Sequence, residues 1–431
     1  MFAAPRGLRL VSLVSLVASA CSAGPAAEVP VPVALPLPPI AAPAESAAPA
    51  VKSVEEPIDP RDEETEVTGR MVTVGVITDR VKQQIEALPD HAAMVLRLRG
   101  HVTSAKLATV RKLPWLRELM LPTGVISLAP LDGSPALVYL FAPGLEVTSL
   151  TPLTPLAGLT ELAIFGSDRI TDFSALSRLS NLEKLDVSHT LLSSFAPLAK
   201  LPLRTLQASG VRASDVEVIA RIVTLRELLL QESPAEDFSA LAALRELEFI
   251  ALDRTRIQDI SFAADLPRLR TLHLDGCKRL SDLRPAARMS ALRRLAVAGT
   301  AARDLGPLRA HPTLDTLDLS ETEVIDLGPL QNLPALHTLS ARSTPLTDLR
   351  PLAGGKVRWL DLGRSKVRDL RPLASAAKLE HLDISGTAVT DLSPLAHSKA
   401  LRKLIVSPSL AVEKLDKLRR ALPDLKITVR D

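Results

Sequence analysis

From residue 93 onward, apolar side chains recur in the pattern L-x-x-L-x-L. The pattern opens at Ala93, Leu116, Leu137, Leu159, Leu182, Leu203, Leu225, Leu247, Leu269, Leu292, Leu314, Leu336, Val357, Leu379 and Leu401, at intervals of 21, 22 or 23 residues. A fixed period of this length is the signature of a repeat array, in which each unit buries its apolar face only against its neighbours. The unit beginning at Leu314, LDTLDLSETEVIDLGPLQNLPA, shows the parts. Leu317 and Leu319 alternate with Thr316, Asp318 and Ser320, the period-two signal of a half-buried strand. Successive strands are expected to lie side by side in one parallel sheet. About fifteen of them at 4.8 Å each would make it roughly 70 Å long.

The rest of the unit turns the chain round. Thr322 follows the strand, and Thr190, Thr255, Thr300, Thr344, Ser365 and Thr387 fill the same slot. Their hydroxyls are expected to bond backbone groups of adjacent turns that would otherwise be buried unpaired. Asp326-Leu327-Gly328-Pro329-Leu330 reads as a short helical turn with Asp as its cap and Pro in its first turn. Asp259, Asp304, Asp348, Asp369 and Asp391 repeat the device.

These motifs resemble leucine-rich repeats, in particular the 22-residue type of bacterial internalins, whose habitual segment DISPLANLTNL is close to DLSPLAHSKAL from Asp391. Thr or Ser stands where that family usually has Asn. The resemblance implies an α/β solenoid with a parallel sheet on the concave face and short 3₁₀ or helical turns on the convex one. It also implies non-covalent binding as the usual role.

Ends of such an array need closing. Val72–Ile77 reads as a strand, and 79–88 as a helix carrying Val81, Ile85 and Leu88 on one face. At the other end Ser409 is placed to cap a helix carrying Leu415, Leu418 and Leu422, and ALPDLKITV returns as a last strand. The repeat domain is therefore set at 71–431, with caps at 71–92 and 410–431 around repeats at 93–409.

The first seventy residues follow a different logic. Arg6 and Arg9 precede an apolar run, and Ala18-Ser19-Ala20 leads to Cys21. That is a secretory leader over 1–20, too short to span a bilayer. Ala18-Ser19-Ala20-Cys21 resembles the lipobox of bacterial lipoproteins. The resemblance implies acylation of Cys21, an envelope location and, with Ser22 next, the outer membrane; ordinary cleavage to a secreted or periplasmic protein is the alternative. Residues 21–70 are rich in Pro and Ala and then acidic, the composition of an extended tether.

Composition narrows the function. The net charge is +3 over 431 residues and only 3% are aromatic, which argues against a nucleic-acid surface. Two cysteines build neither a disulfide framework nor a metal site, and Cys277, in a Thr slot, reads as a buried structural thiol. No G-x-S-x-G or H-E-x-x-H occurs, and Gly354-Gly355-Lys356 reads as a turn. His101, His189, His273, His311, His337, His381 and His397 read as separate surface residues. No enzyme, cofactor or metal is expected.

The register instead picks out side chains on the bare strand face. Tyr139, Phe141 and Phe165 form a candidate aromatic patch. Asp318, Arg342, Trp359, Asp361, His381 and Asp383 form a mixed patch near the other end, with Phe249 and His273 between them. Aromatic and Arg anchors are what protein interfaces favour. The expected role is an envelope-anchored module binding a protein or a glycan. A structural or adhesive envelope protein without one discrete ligand is the alternative.

Overall fold

The structure is a computed structural model and describes residues 60–134, 136–410 and 412–430. The expected leader, Cys21 and most of the expected tether lie outside the described residues. Within them the chain forms one open sheet of 18 strands. Strand β1 (Glu66–Thr68) runs antiparallel to β2 (Met71–Val74). Every later strand is parallel to the one before it, out to the last, Lys426–Val429. The fold is the expected leucine-rich-repeat solenoid, with strands on one side and mainly short 3₁₀ turns on the other. The two cap strands and the β1 hairpin raise the strand count above fifteen.

Register follows the leucines. Leu317 pairs with Leu295 on one side and Leu339 on the other, and all three are buried. Most strands are only three residues long, yet neighbouring turns stay tied beyond them. Leu319 N–H donates to the Ser340 carbonyl at 2.8 Å, and Glu321 N–H to that of Arg342 at 2.8 Å. The second bond requires a left-handed residue, and this slot holds one in turn after turn. Gly166, Gly210, Gly276, Gly299 and Gly386 occupy it with positive φ, and so do His189, Glu232, Arg254, Glu321, Ser343 and Arg364. A side chain at such a φ costs about 1–2 kcal/mol, part of which glycine's greater freedom in the unfolded chain offsets. Glu321→Gly is therefore expected to stabilise the fold by about 0.5–1 kcal/mol in chemical denaturation. An unchanged or lower midpoint would show that the slot carries no strain.

The hydroxyl slot works differently from the expectation. Thr300 Oγ1 donates to the Val297 carbonyl at 2.7 Å, and Thr344 Oγ1 to that of Ala341 at 2.7 Å. These bonds return to the residue's own turn because the chain bends back there, leaving the carbonyl three residues earlier within reach. Ser365 Oγ is buried with no partner. Two members of the slot do bridge turns. Ser167 Oγ accepts from Leu145 N–H at 2.8 Å, and Cys277 Sγ donates to the Leu252 carbonyl at 3.1 Å. Cys277 is fully buried, and burial pushes its thiol up from the ordinary range.

The aspartates before the 3₁₀ turns sit one residue ahead of the cap position. Asp326 Oδ1 accepts from Gly328 N–H at 2.7 Å while Leu327 takes the cap, which is an Asx turn. The same bond recurs from Asp259, Asp304, Asp348, Asp369 and Asp391, and also from Asp172, Asp237 and Asp282.

Both ends are closed by helices. Helix α1 (Asp79–Glu86) is capped by Thr78 and buries Val81 and Ile85, with Leu88 packed partly against the core. Near the other terminus, Val412–Ala421 buries Leu415 and Leu418, and Leu422 follows buried. Among the described residues, secondary structure is already present at Pro60–Glu63, ahead of the boundary expected at 71. The acidic run is held there by backbone bonds: Gly75 and Val76 N–H donate to the Asp62 carbonyl at 2.8 and 3.1 Å. Lys106 pairs with the Asp62 carboxylate. The folded unit closed by these elements presents its sheet face bare.

Candidate binding face

Three rows of side chains stand on the strand face. The middle row lies between the two core leucines of each unit, and a row flanks it on each side. The candidate residues fall in these rows as the repeat register places them, but only some of them touch.

The C-terminal group is the most organised. Trp359 and His381 are register partners on adjacent strands, with ring centroids 4.6 Å apart and planes 24° apart. Trp359 is 46% exposed, so one face of a large ring is offered to solvent. Asp361 and Asp383 stand paired in the middle row. On their other side Arg342 Nη1 lies 3.8 Å from Asp361 Oδ1 and 3.5 Å from Asp383 Oδ2. Arg342 reaches across two units because Gly363 leaves its path open; a Cβ at Gly363 would collide with the guanidinium. Backbone N–H groups complete the support. Gly363 N–H donates to Asp361 Oδ1 at 2.8 Å and Ser385 N–H to Asp383 Oδ1 at 2.8 Å. Burial, then the Asp383 charge, raises the Asp361 carboxyl, against the pull of the Gly363 N–H and Arg342. The result is a flat aromatic platform beside a rigid, partly neutralised acidic pair.

The middle of the face is acidic as well. Phe249 meets His273 edge-on at 5.3 Å. Asp253 Oδ1 accepts from Asp275 N–H at 2.8 Å, and Asp275 Oδ1 from Ala298 N–H at 2.9 Å. Burial, followed by the charges of Asp253 and Asp318, pushes the Asp275 carboxyl up to about 6. Burial lowers His273, opposed by Asp253. Asp318 accepts from Ser320 N–H at 2.9 Å and stands between this group and the C-terminal one. An acid with a raised folded pKa binds its proton more tightly when folded, so stability is gained below that value and lost as pH rises through about 6. Asp275→Asn keeps an acceptor for Ala298 N–H while removing the buried charge. It is expected to raise the melting temperature at neutral pH and to flatten its dependence on pH around 6. An unchanged pH profile would mean that Asp275 titrates as an ordinary surface acid.

The N-terminal patch forms only in part. Phe141 and Phe165 meet edge-on at 5.6 Å. Tyr139 belongs to the other flanking row, in register with Glu118 and Glu161. Burial and those two carboxylates push its hydroxyl up to about 12.

Two sequence readings need correction. His311 is buried, 3% exposed, rather than at the surface, and its Nδ1 accepts from Leu314 N–H at 3.2 Å. It stands at the repeat position that Leu333 fills one unit later, so the register carried the signal. His381 is not a separate surface residue: it stands half-buried on the strand face against Trp359, and its Nδ1 is buried without a partner. Asp253 and Asp275 stand in the flanking row where the register puts them with Arg342, but their bonds along the face, and the role of Gly363, were not legible. The signal for Gly363 is the gap it makes in that row, which Asp275, Ala298, Ser320, Arg342 and Ser385 fill in nearby units. Among the described residues, no group of three His, Cys, Asp or Glu is placed to hold a metal ion. No helix among them is long and apolar enough to cross a membrane.

Solved structures share the fold. An internalin of Listeria monocytogenes aligns with a TM-score of 0.55 at 20% identity, over 81% of this chain and 93% of that one. The leucine-rich-repeat ectodomain of an Arabidopsis thaliana membrane receptor kinase, in complex with Casparian strip integrity factor 2, aligns with a TM-score of 0.58 at 16% identity, over 78% of this chain and 47% of that one. TLR13 in complex with a single-stranded RNA gives 0.53 at 20% identity, over 79% and 55%. Neither a family model nor a curated protein sequence matches the chain. The chain has a leucine-rich-repeat fold with internalin-type structures among its neighbours.

Proposed function

We propose that this protein is a non-catalytic, envelope-anchored module that binds a protein partner on its strand face, chiefly at the C-terminal patch. The carrying observation is the stacked Trp359–His381 platform beside the Arg342–Asp361–Asp383 cluster. An exposed aromatic next to fixed charges is the composition of an interface anchor. The plant ectodomain's complex with a protein factor offers a parallel for the fold's use. The RNA-bound neighbour does not transfer: Asp186, Asp253, Asp275, Asp318, Asp361 and Asp383 line this face, and carboxylates repel phosphate. A glycan partner is an outcome of the test.

That test is capture from an envelope extract by the wild-type chain and by a Trp359→Ala chain. One species retained by the first and lost by the second supports the reading, and its chemistry settles protein or glycan. Equal, diffuse retention by both overturns it in favour of a structural role.

The anchor is proposed from the leader and Cys21. Cys21→Ser is expected to abolish fatty-acid labelling and move the protein from the membrane to the soluble fraction. A labelled, membrane-bound Cys21→Ser chain would end the lipoprotein assignment.

A further inference from the structure

Among the described residues the sheet has two outer edges, and they differ in charge. Strand β1 (Glu66–Thr68) is exposed at all three residues, and Lys426–Val429 at three of its four. Residues 60–66 carry Asp62, Glu63, Glu64 and Glu66 against Arg61; Lys106 pairs with Asp62 and Arg99 with Glu64, so Glu63 and Glu66 carry the net acidic charge. Residues 412–430, which hold the last helix and the last strand, carry six Lys and Arg, among them Lys426 and Arg430, against three acids. Three exposed large hydrophobics fall at the same two places. Val67 is 45% exposed, Val429 54% and Val412 68%, among only seven large hydrophobics so exposed in the described residues. An outer strand of this kind is a template for another strand.

We propose that these edges join two copies end to end, Lys426–Val429 of one adding to Glu66–Thr68 of the next. Strand addition supplies main-chain hydrogen bonds. The charges supply polarity, since an acidic edge repels a second acidic edge and attracts a basic one. Because β1 runs opposite to the strands after it, the joint between aligned copies is antiparallel, the pairing that β1 already makes with β2. The two surfaces are different, so the contact is heterologous. Each added copy leaves one acidic and one basic edge free, and growth continues past the dimer. The strand face stays open along such a row, which would repeat the binding patch at every copy. The proposal itself needs neither that patch nor the anchor.

Sedimentation velocity of the full chain at increasing concentration and low salt tests it. The expected result is a series of species beyond the dimer that dissociates as salt rises. Lys426→Glu/Arg430→Glu is expected to weaken association at least about tenfold, and so is Glu63→Lys/Glu66→Lys. The first variant has two acidic edges and the second two basic ones, so an equimolar mixture is expected to associate again. That recovery also shows that both variants are folded. A monomer at every concentration overturns the proposal. So does a dimer that never grows, association untouched by either charge reversal, or a mixture that stays monomeric.

Discussion

Leu317→Ala is expected to destabilise the fold by about 2–5 kcal/mol, the usual cost of emptying a leucine site in a packed core. Leu317 is fully buried and sits in a column with Leu295 and Leu339, so the lost methyls have no solvent to replace them. Protein interiors close only partly around such a gap, which adds the cavity cost to the transfer cost. The solenoid makes the effect local as well as large, because each turn rests only on its neighbours. Hydrogen exchange should therefore accelerate first in the strands of Leu295, Leu317 and Leu339, and change little around Leu162. Thr338→Ala is the control. Thr338 lies beside Leu339 on the strand face, half-buried and facing out, and its loss should stay within about 0.5 kcal/mol. Equal denaturation midpoints for the two variants would mean that the leucine column is not the core.

The register was open to reading because it rests on alternation. A strand that buries every second side chain has one phase compatible with its leucines, and a slip of one residue would put Leu317 in water. Every candidate on the strand face inherits its row from that phase, which is why Trp359 and His381 emerge as register partners. Contact between rows is another matter. It depends on side-chain reach and on what the intervening residue leaves free. Arg342 crosses to Asp383 only because Gly363 lacks a side chain, and no periodicity announces a path of that kind. Tyr139 and Phe165 lie in opposite flanking rows, so their closeness in sequence register gave no contact. The polar slots misled for a related reason. A Thr hydroxyl reaches its own turn or the next one depending on a local bend, and Thr300 and Ser167, in the same slot, chose differently. The left-handed slot was hidden because Glu, Arg and His share it with Gly, so residue type does not mark the strain.

The second large effect concerns binding. Trp359→Ala is expected to lower affinity for the captured partner by about 2 kcal/mol or more, roughly thirtyfold in Kd, while leaving the melting curve nearly unchanged. The two halves of that statement have separate grounds. Trp359 offers a broad exposed ring, so a partner covering it buries much apolar area, whereas the free protein gains less from the half that is already covered. Arg342→Ala should behave differently. Its guanidinium is only 22% exposed and faces two carboxylates, so its loss leaves Asp361 and Asp383 together without a counter-charge. That variant should lose both affinity and stability at neutral pH and recover part of the stability on acidification, as Asp361 takes up a proton. The carboxyl already raised by burial and by Asp383 would be raised further once Arg342 is gone, and the sign follows: an acid that binds its proton more tightly in the folded state favours folding as pH falls. Calorimetric titration of the partner against both variants, with melting curves at two pH values, separates the roles. If Trp359→Ala binds within about twofold of wild type while Phe141→Ala loses the partner, the contact lies on the N-terminal aromatic pair instead, and the C-terminal platform is only a well-packed stretch of sheet.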